Sequence, residues 1–229
     1  MSSKRYKKLT ENSKELPPEN IQNILKLIKS NCTTKFDESV DLSFRINNKQ
    51  KKNEINLRTI VNLPGGTGKS IKVAVVCEDS KLNEAKEANA DLIGGDELVE
   101  KIKNNDLNFE KLICTPSMMI KLSKLGKVLG PKGLMPNPKL GTVTNDIKKA
   151  VIEAKAGQVE IRNDKDGNIG VSIGKKSFDD EKLVNNYNAI IDSLEKEKSN
   201  LTIKGDLIRQ AFITSSMGVS YQLKLDKSL

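Results

Sequence analysis

The 229-residue sequence predicts an α/β protein, in which both chain ends form one α+β domain and the middle forms an inserted parallel α/β domain. Near both ends, apolar and polar residues alternate along strands, which is typical of antiparallel sheets with one buried face. Across residues 71–155, short apolar strands instead alternate with helices. The glycine-rich segment 64–68 and the segment near Gly157 mark the two changes of pattern.

The first 63 residues predict a basic arm, one helix and two strands. Residues 1–14 carry five Lys or Arg and predict a mobile arm, which either lies on phosphates or stays in water. After two prolines, apolar residues follow the spacing of an amphipathic helix from residue 21 to 28. Alternating apolar residues then predict strands over 36–46 and 55–63, joined by a lysine-rich turn.

The middle of the chain predicts a parallel, Rossmann-like sheet. Residues 71–77 are almost continuously apolar, as in a strand covered on both faces. The remaining elements alternate in type: a helix over 81–90 capped by Ser80, a strand over 91–93, a helix over 96–104, a strand over 111–114 and a helix from Ser117.

Residues 129–144, LGPKGLMPNPKLGTVT, hold three prolines and three glycines together with several large apolar residues. So many prolines and glycines exclude a regular helix or an interior strand. We predict an ordered basic loop that packs by its apolar side chains, although an irregular structural connection explains the composition equally well. Lys132 and Lys139 give it a secondary basic surface, and Thr144 caps the helix that follows.

The last 70 residues return to the antiparallel pattern. Two alternating runs flank the Asp166-Gly167 pair and predict a hairpin over 159–173. A helix through Leu183 and Leu194 follows, and two strands near 207–213 and 219–225 end the chain. The predicted boundaries are therefore 1–66 and 158–229 for domain I, and 67–157 for domain II. Two consecutive domains are the alternative.

Composition favours a binding protein over an enzyme. The net charge of +9 favours a polyanionic partner, nucleic acid before membrane. The absence of histidine removes Ser-His-Asp and Cys-His nucleophiles and HExxH zinc sites. Cys32, Cys77 and Cys114 fit neither a disulfide framework nor a CxxC metal site, which favours a reducing cytoplasm. We therefore predict no catalytic residue, no cofactor and no metal.

Two motifs that suggest other functions fail on spacing. Gly66 to Ser70 resembles a phosphate-binding loop, but Leu63 stands where that motif needs glycine, and a strand rather than a helix follows. A flexible link explains these glycines better. The turn at Asp164–Gly167 resembles half of a calcium loop, but Arg162 and Ile173 occupy ligand positions. A P-loop-like NTPase and a DNA-binding protein are the disfavoured alternatives, the latter because no helix-turn-helix signal is present.

Three stretches offer side chains suited to RNA. Lys35 and Phe36 open a predicted strand, where a ring can lie against a ribose or base, although a strand phenylalanine is a core residue by default. The turn at residues 162–165 presents Arg162 and Lys165. Residues 214–218 combine three hydroxyls, a methionine and a glycine, and hydroxyls can recognise the ribose 2′-OH.

The chain resembles the bacterial L-one family of large-subunit ribosomal proteins. The residues that carry the resemblance are 34–40, 63–69, 129–144, 155–157, 162–165 and 214–218, in the family's order. The 129–144 stretch is the most specific of them. The resemblance implies the two-domain fold, with domain I as the principal RNA-binding domain. It also implies a mobile stalk of the large subunit near the exit site, on cytoplasmic ribosomes.

The resemblance implies partners and site residues as well. The partners are large-subunit ribosomal RNA, deacylated transfer RNA at the exit site, and the messenger RNA of its own operon, whose translation it can repress. Gly65 and Gly170 depart from the family, which usually has histidine at both positions. The RNA-binding residues carried over from the family are Lys35, Phe36, Glu38, Arg162, Asn163, Asp164, Lys165, Thr214, Ser215, Ser216, Met217 and Gly218.

Overall fold

A computed structural model describes residues 3–13, 17–47, 57–104, 107–200 and 206–225. The chain forms two compact units: unit 1 comprises residues 1–68 and 159–229, and unit 2 comprises residues 69–158. The predicted α/β class is confirmed, since helices occur with strands and one sheet is parallel. Within these described ranges, no helix is long and apolar enough to cross a membrane.

The helices and strands are numbered in chain order. The helices are α1 (Lys4–Ser13), α2 (Ile21–Asn31), α3 (Leu82–Glu87), α4 (Asp96–Lys103), α5 (Pro116–Ser123), α6 (Gly126–Leu129), α7 (Ile147–Lys155) and α8 (Asp180–Asn200). The strands are β1 (Ser39–Ile46), β2 (Arg58–Asn62), β3 (Val73–Val76), β4 (Leu92–Gly94), β5 (Lys111–Cys114), β6 (Gln158–Arg162), β7 (Asn168–Lys175), β8 (Ile208–Ser215) and β9 (Tyr221–Leu223).

Unit 1 is built on a four-stranded antiparallel sheet with the order β7-β1-β8-β9. Along β1, Val40, Leu42 and Phe44 are buried, while Ser43 and Arg45 on the opposite face are exposed. Helices α2 and α8 pack against each other and against this sheet, so the alternation predicted from sequence has one buried and one open face. Strands β2 and β6 form a separate two-stranded sheet.

Unit 2 is a three-stranded parallel sheet in the order β4-β3-β5, covered on both faces. Successive residues of β3 point to opposite sides. Val73 and Val75 join a core cluster with α3 and α7, and Ala74 and Val76 join one with α4 and α5. This confirms that the continuous apolar run is a strand covered on both faces.

The 129–144 loop is ordered, as predicted. Leu129 and Leu140 are buried, and Leu134, Met135 and Val143 pack against the same cluster. Two glycines of the loop adopt left-handed backbone conformations, with φ of 70° and 63°. The loop is therefore packed onto unit 2 by its apolar side chains.

The hairpin prediction is right about the turn and wrong about the strands. The N–H of Asp164 donates to the carbonyl of Asn168 (2.9 Å), which closes the turn. Beyond one bridge between Asn163 and Ile169, however, the two strands separate: β6 pairs with β2 and β7 pairs with β1. Alternation specifies which face of a strand is buried, but it does not specify the partner strand.

Several local predictions near the N-terminus are corrected. Residues 4–13 form helix α1 rather than a mobile arm, because Leu9 is buried in the core of unit 1. Phe36 precedes β1 and is 51% exposed, so it is not a core residue. Strands β1 and β2 do not pair with each other. Ile55 and the lysine-rich turn lie outside the described residues.

Two predicted helix caps are also corrected. The residue before α3 is Lys81, the last residue of a short 3-10 helix (Asp79–Lys81) that includes Ser80. The residue before α7 is Asp146, whose N–H donates to the hydroxyl of Thr144 (3.1 Å). In both cases a polar turn intervenes between the predicted cap and the helix.

Hydrogen bonds to helix α8 fix the first part of the glycine-rich segment 64–68. The side-chain oxygen of Asn186, which is fully buried on α8, accepts from the N–H of Gly65 (2.8 Å). Its amide nitrogen donates to the carbonyls of Gly66 (3.0 Å) and Ile173 (2.7 Å). One side chain thus satisfies three backbone groups.

Candidate nucleic-acid interface

Glu38 is a fully buried carboxylate that joins two of the predicted RNA-binding stretches. Its Oε1 accepts from the hydroxyl of Thr34 (2.7 Å), and its Oε2 accepts from the N–H of Met217 (3.0 Å). Burial alone would raise the pKa of Glu38. Hydrogen bonds from Thr34, Met217 and Ser215 outweigh it, so the pKa lies below its ordinary value of 4.5. Glu38 therefore links the two stretches and has no exposed surface with which to contact RNA.

The turn after β8 is fixed by further hydrogen bonds to β1. The N–H of Ser39 donates to the hydroxyl of Ser216 (3.0 Å), and the N–H of Ser216 donates to the carbonyl of Ser39 (3.1 Å). The N–H of Gly218 donates to the carbonyl of Ser215 (3.0 Å), and a Cβ at position 218 would overlap the hydroxyl of Ser215. A side chain at position 218 would therefore have to displace the Ser215 hydroxyl.

Two large apolar side chains project from this framework. Phe36 is 51% exposed and Met217 is 53% exposed, although both lie in segments tied to Glu38. Exposed apolar side chains on a rigid base are typical of a surface that meets a partner. We call residues 34–39 and 214–218, with these two side chains, the Phe36–Met217 rim.

Basic residues surround the rim. Lys35 is exposed beside Phe36, and Lys175 donates to the hydroxyl of Ser39 (2.9 Å). Lys176 donates to the carbonyl of Cys32 (2.8 Å), while its own N–H donates to the carbonyl of Glu38 (2.8 Å). These lysines give the rim a positive border that suits phosphate.

Arg5 of α1 is a residue that the sequence interpretation missed. Its Nε donates to the hydroxyl of Thr33 (2.8 Å), and its terminal nitrogen donates to the carbonyl of Met217 (2.6 Å). Asp37 was also missed: its carboxylate accepts from the N–H and the hydroxyl of Ser177 (3.0 and 2.7 Å). No local signal marks Arg5 or Asp37, since their partners lie 28 to 212 residues away.

The turn at residues 162–167 is built mainly by its own polar side chains. Asn163 accepts from the N–H of Leu57 (2.7 Å) through its side chain, so it fastens the turn to residues beside β2. Asp164 accepts from the N–H of Asn168 (2.6 Å), and this bond is the chief reason why the pKa of Asp164 is lowered. Arg162 and Lys165 are exposed.

The structure brings two of the three predicted stretches together and leaves the third apart. Lys175 pairs with Ser39 at the rim, and Asn168 pairs with Arg45 at the other end of β1. Seven residues of antiparallel strand, at about 3.4 Å each, separate the 162–167 turn from the rim by roughly 24 Å. Residues 35–38 and 214–218 thus form one cluster, and residues 162–165 form a second.

The open face of the four-stranded sheet connects these clusters. Its residues lie opposite one another across the strands and are exposed or half-buried, in contrast to the core side. Most are small or polar, which lets a nucleic-acid backbone approach the sheet closely. The residues of this open face are Ser39, Asp41, Ser43, Arg45, Asn168, Gly170, Ser172, Gln210, Phe212, Thr214 and Gln222.

The secondary basic surface lies on unit 2. Lys132 and Lys139 are both exposed on the 129–144 loop. The loop around Lys139 is held by Asn137, whose side chain accepts from the N–H of Lys139 (2.9 Å) and whose N–H donates to the hydroxyl of Thr142 (2.8 Å). These two lysines are therefore presented by an ordered backbone.

Comparisons with known proteins agree on one family. The model of the "Ribosomal protein L1p/L10e family" matches residues 28–219. The chain is 70% identical over 229 residues to the "Large ribosomal subunit protein uL1" of Pelagibacter ubique (strain HTCC1062), with all of both chains covered. It is 46% identical over 220 residues to uL1 of Mycoplasma capricolum, covering 94% of this chain and 95% of the relative. It is 44% identical over 226 residues to uL1c of Arabidopsis thaliana, covering 97% of this chain and 64% of the relative.

Proposed function

Because the chain belongs to the ribosomal protein L1p/L10e family, we infer that it is a structural constituent of the large ribosomal subunit and not an enzyme. It binds large-subunit ribosomal RNA, which is the general role of the family. We propose that unit 1 is the principal RNA-binding domain, and that RNA lies on the Phe36–Met217 rim, the open face and the 162–167 turn.

The site proposal rests on one observation: two apolar side chains are exposed although hydrogen bonds fix their backbone. Phe36 and Met217 remain about half exposed, although a buried carboxylate ties their segments together. A ring or thioether held in this way can stack on an unpaired base or pack against a ribose. The hydroxyls of the open face suit the 2′-OH groups and phosphates of a folded RNA.

Within this proposal the predicted residues have different roles. Lys35, Phe36, Arg162, Lys165 and Met217 would contact RNA directly. The structural group would shape the surface through the hydrogen bonds described above; it consists of Glu38, Asn163, Asp164, Thr214, Ser215, Ser216 and Gly218.

The remaining roles stay predictions. A messenger RNA that folds like the ribosomal site would compete with ribosomal RNA for the same surface. Its binding there would repress translation of the operon. Lys132 and Lys139 are proposed as a secondary contact surface on unit 2, facing deacylated transfer RNA or the stalk. Unit 2 would then serve as the part of the stalk that meets the departing transfer RNA.

Affinity measurements with matched variants test the interface. Phe36→Ala and Met217→Ala should each weaken binding to a large-subunit ribosomal RNA fragment by about tenfold, since stacking contributes about 1–3 kcal/mol per base. The control is Ile120→Ala, which removes a 72% exposed apolar side chain from unit 2. A DNA of the same sequence should bind far more weakly. Unchanged affinity in both rim variants, with the fold intact, would exclude the rim as the site.

A further inference from the structure

Helix α1 reaches the rim through a single arginine. The guanidinium of Arg5 spans two chain segments, since it donates to the hydroxyl of Thr33 (2.8 Å) and to the carbonyl of Met217 (2.6 Å). Four residues further along the helix, Leu9 is buried in the core of unit 1 and anchors α1. Arg5 is therefore presented from an attached helix and not from a free end.

The Met217 backbone is held between two opposite charges. Its N–H donates to the buried carboxylate of Glu38 (3.0 Å), and its carbonyl accepts from Arg5 (2.6 Å). The same two charges bind neighbouring hydroxyls in the other segment, those of Thr34 and Thr33. Glu38 thus links the two segments from the buried side, and Arg5 links them from the surface.

We propose that Arg5 is a positioning residue for RNA binding, which acts by fixing the direction in which Met217 projects; this rests on the proposed interface. The Met217 side chain is half exposed, so the orientation of its backbone decides where it meets RNA. Arginine is required because its planar fork reaches two acceptors at once, whereas lysine presents a single ammonium group. A simple phosphate contact would not distinguish between the two.

The test compares a charge-preserving variant with a charge-removing control on the same helix. Arg5→Lys keeps the charge and loses the bridge, while Lys8→Gln removes an exposed charge that takes no part in the bridge. Affinity for a large-subunit ribosomal RNA fragment is measured at several salt concentrations. In the RNA-free protein, the methyl resonance of Met217 is followed by NMR, assigned by its loss in Met217→Leu.

We expect Arg5→Lys to weaken RNA binding by about tenfold, because the Met217 backbone, no longer fixed in the free protein, must then be ordered when RNA binds. Its salt slope should match that of the wild type, and its Met217 methyl resonance should shift before any RNA is added. Lys8→Gln should leave that resonance in place. If Lys8 contacts a phosphate, Lys8→Gln should reduce the magnitude of the salt slope, which is the change in log affinity with log salt concentration, by about 0.7 to 0.9.

Two results would overturn the inference in distinguishable ways. Wild-type affinity and an unmoved Met217 resonance in Arg5→Lys, together with a reduced salt slope in Arg5→Gln, would make Arg5 a phosphate contact and not a positioning residue. Failure of the wild-type protein to bind the RNA fragment would remove the interface itself, and the role of Arg5 in it. Tyrosine fluorescence of each variant confirms that unit 1 is folded.

Discussion

Replacing Glu38 tests whether a buried carboxylate supports the interface. Glu38→Ala removes the acceptor of the Met217 N–H and of the Thr34 and Ser215 hydroxyls. The Thr34 hydroxyl can turn to the carbonyl of Phe36, which already lies 3.2 Å away, but the Met217 N–H keeps no partner. Glu38→Gln is milder, because the amide oxygen can still accept from Met217 while its NH₂ group donates to the Thr34 hydroxyl.

The expected magnitudes follow from this hydrogen-bond count. A polar group that loses its hydrogen-bond partner costs up to about 1–3 kcal/mol, and the lost packing of the buried Glu38 side chain adds to it, so Glu38→Ala should lower the free energy of unfolding by about 2–4 kcal/mol. Glu38→Gln loses only the charge and should cost about 1 kcal/mol at pH 7. The exposed Glu11→Gln is the control and should change stability by less than about 0.5 kcal/mol.

Urea unfolding followed by tyrosine fluorescence measures unit 1 alone, because Tyr6, Tyr187 and Tyr221 all belong to it. Since the folded pKa of Glu38 is lowered, its contribution to stability is present above the ordinary value of 4.5 and is lost as the pH falls through the folded pKa. The stability difference between wild type and Glu38→Gln should therefore shrink in acid. Equal stability of wild type and Glu38→Ala at pH 7, or a difference that grows in acid, would refute this account.

Two further predictions concern buried groups outside the rim. Asn186→Ala should destabilise unit 1 by at least about 2 kcal/mol, because Gly65, Gly66 and Ile173 each lose a backbone partner; tyrosine-detected unfolding that matches wild type would contradict it. All three cysteines are buried and none forms a disulfide, and burial raises the pKa of Cys114 to about 11. A thiol reagent at pH 8 should hence label no cysteine in the native protein and all three in urea. Rapid labelling of the native protein would contradict this prediction, because it would show that the cores open.

Most of the fold could be predicted because hydrophobic periodicity records burial directly. The apolar run 71–77 contains β3, whose residues belong to two core clusters. The alternating residues 39–46 form β1, which is buried on one face. Pairing was not predictable in the same way. The turn at Asp164–Gly167 was recognised from local chemistry, but the divergence of β6 and β7 depends on distant strands that no local pattern specifies.

The geometry of the proposed site could not be predicted from the sequence. Residues 35–38 and 214–218 were identified through resemblance, yet the burial of Glu38 could not be read from its polar surroundings in sequence. Its partner Met217 is 179 positions away. Likewise Arg5 resembled part of a solvated basic arm, because the single apolar residue that anchors α1, Leu9, gives too weak a period to predict a helix.

The spacing of the two clusters restricts the kind of RNA that the proposed interface would recognise. The rim and the 162–167 turn lie at opposite ends of β1 and β7, roughly 24 Å apart at about 3.4 Å per residue. A single extruded base can satisfy only one of them. An RNA whose backbone crosses the open face can meet both, and its hydroxyls and phosphates then lie against Ser43 and Gly170 between them. On the proposed interface, we therefore expect recognition to depend on the shape of a folded RNA more than on a short sequence.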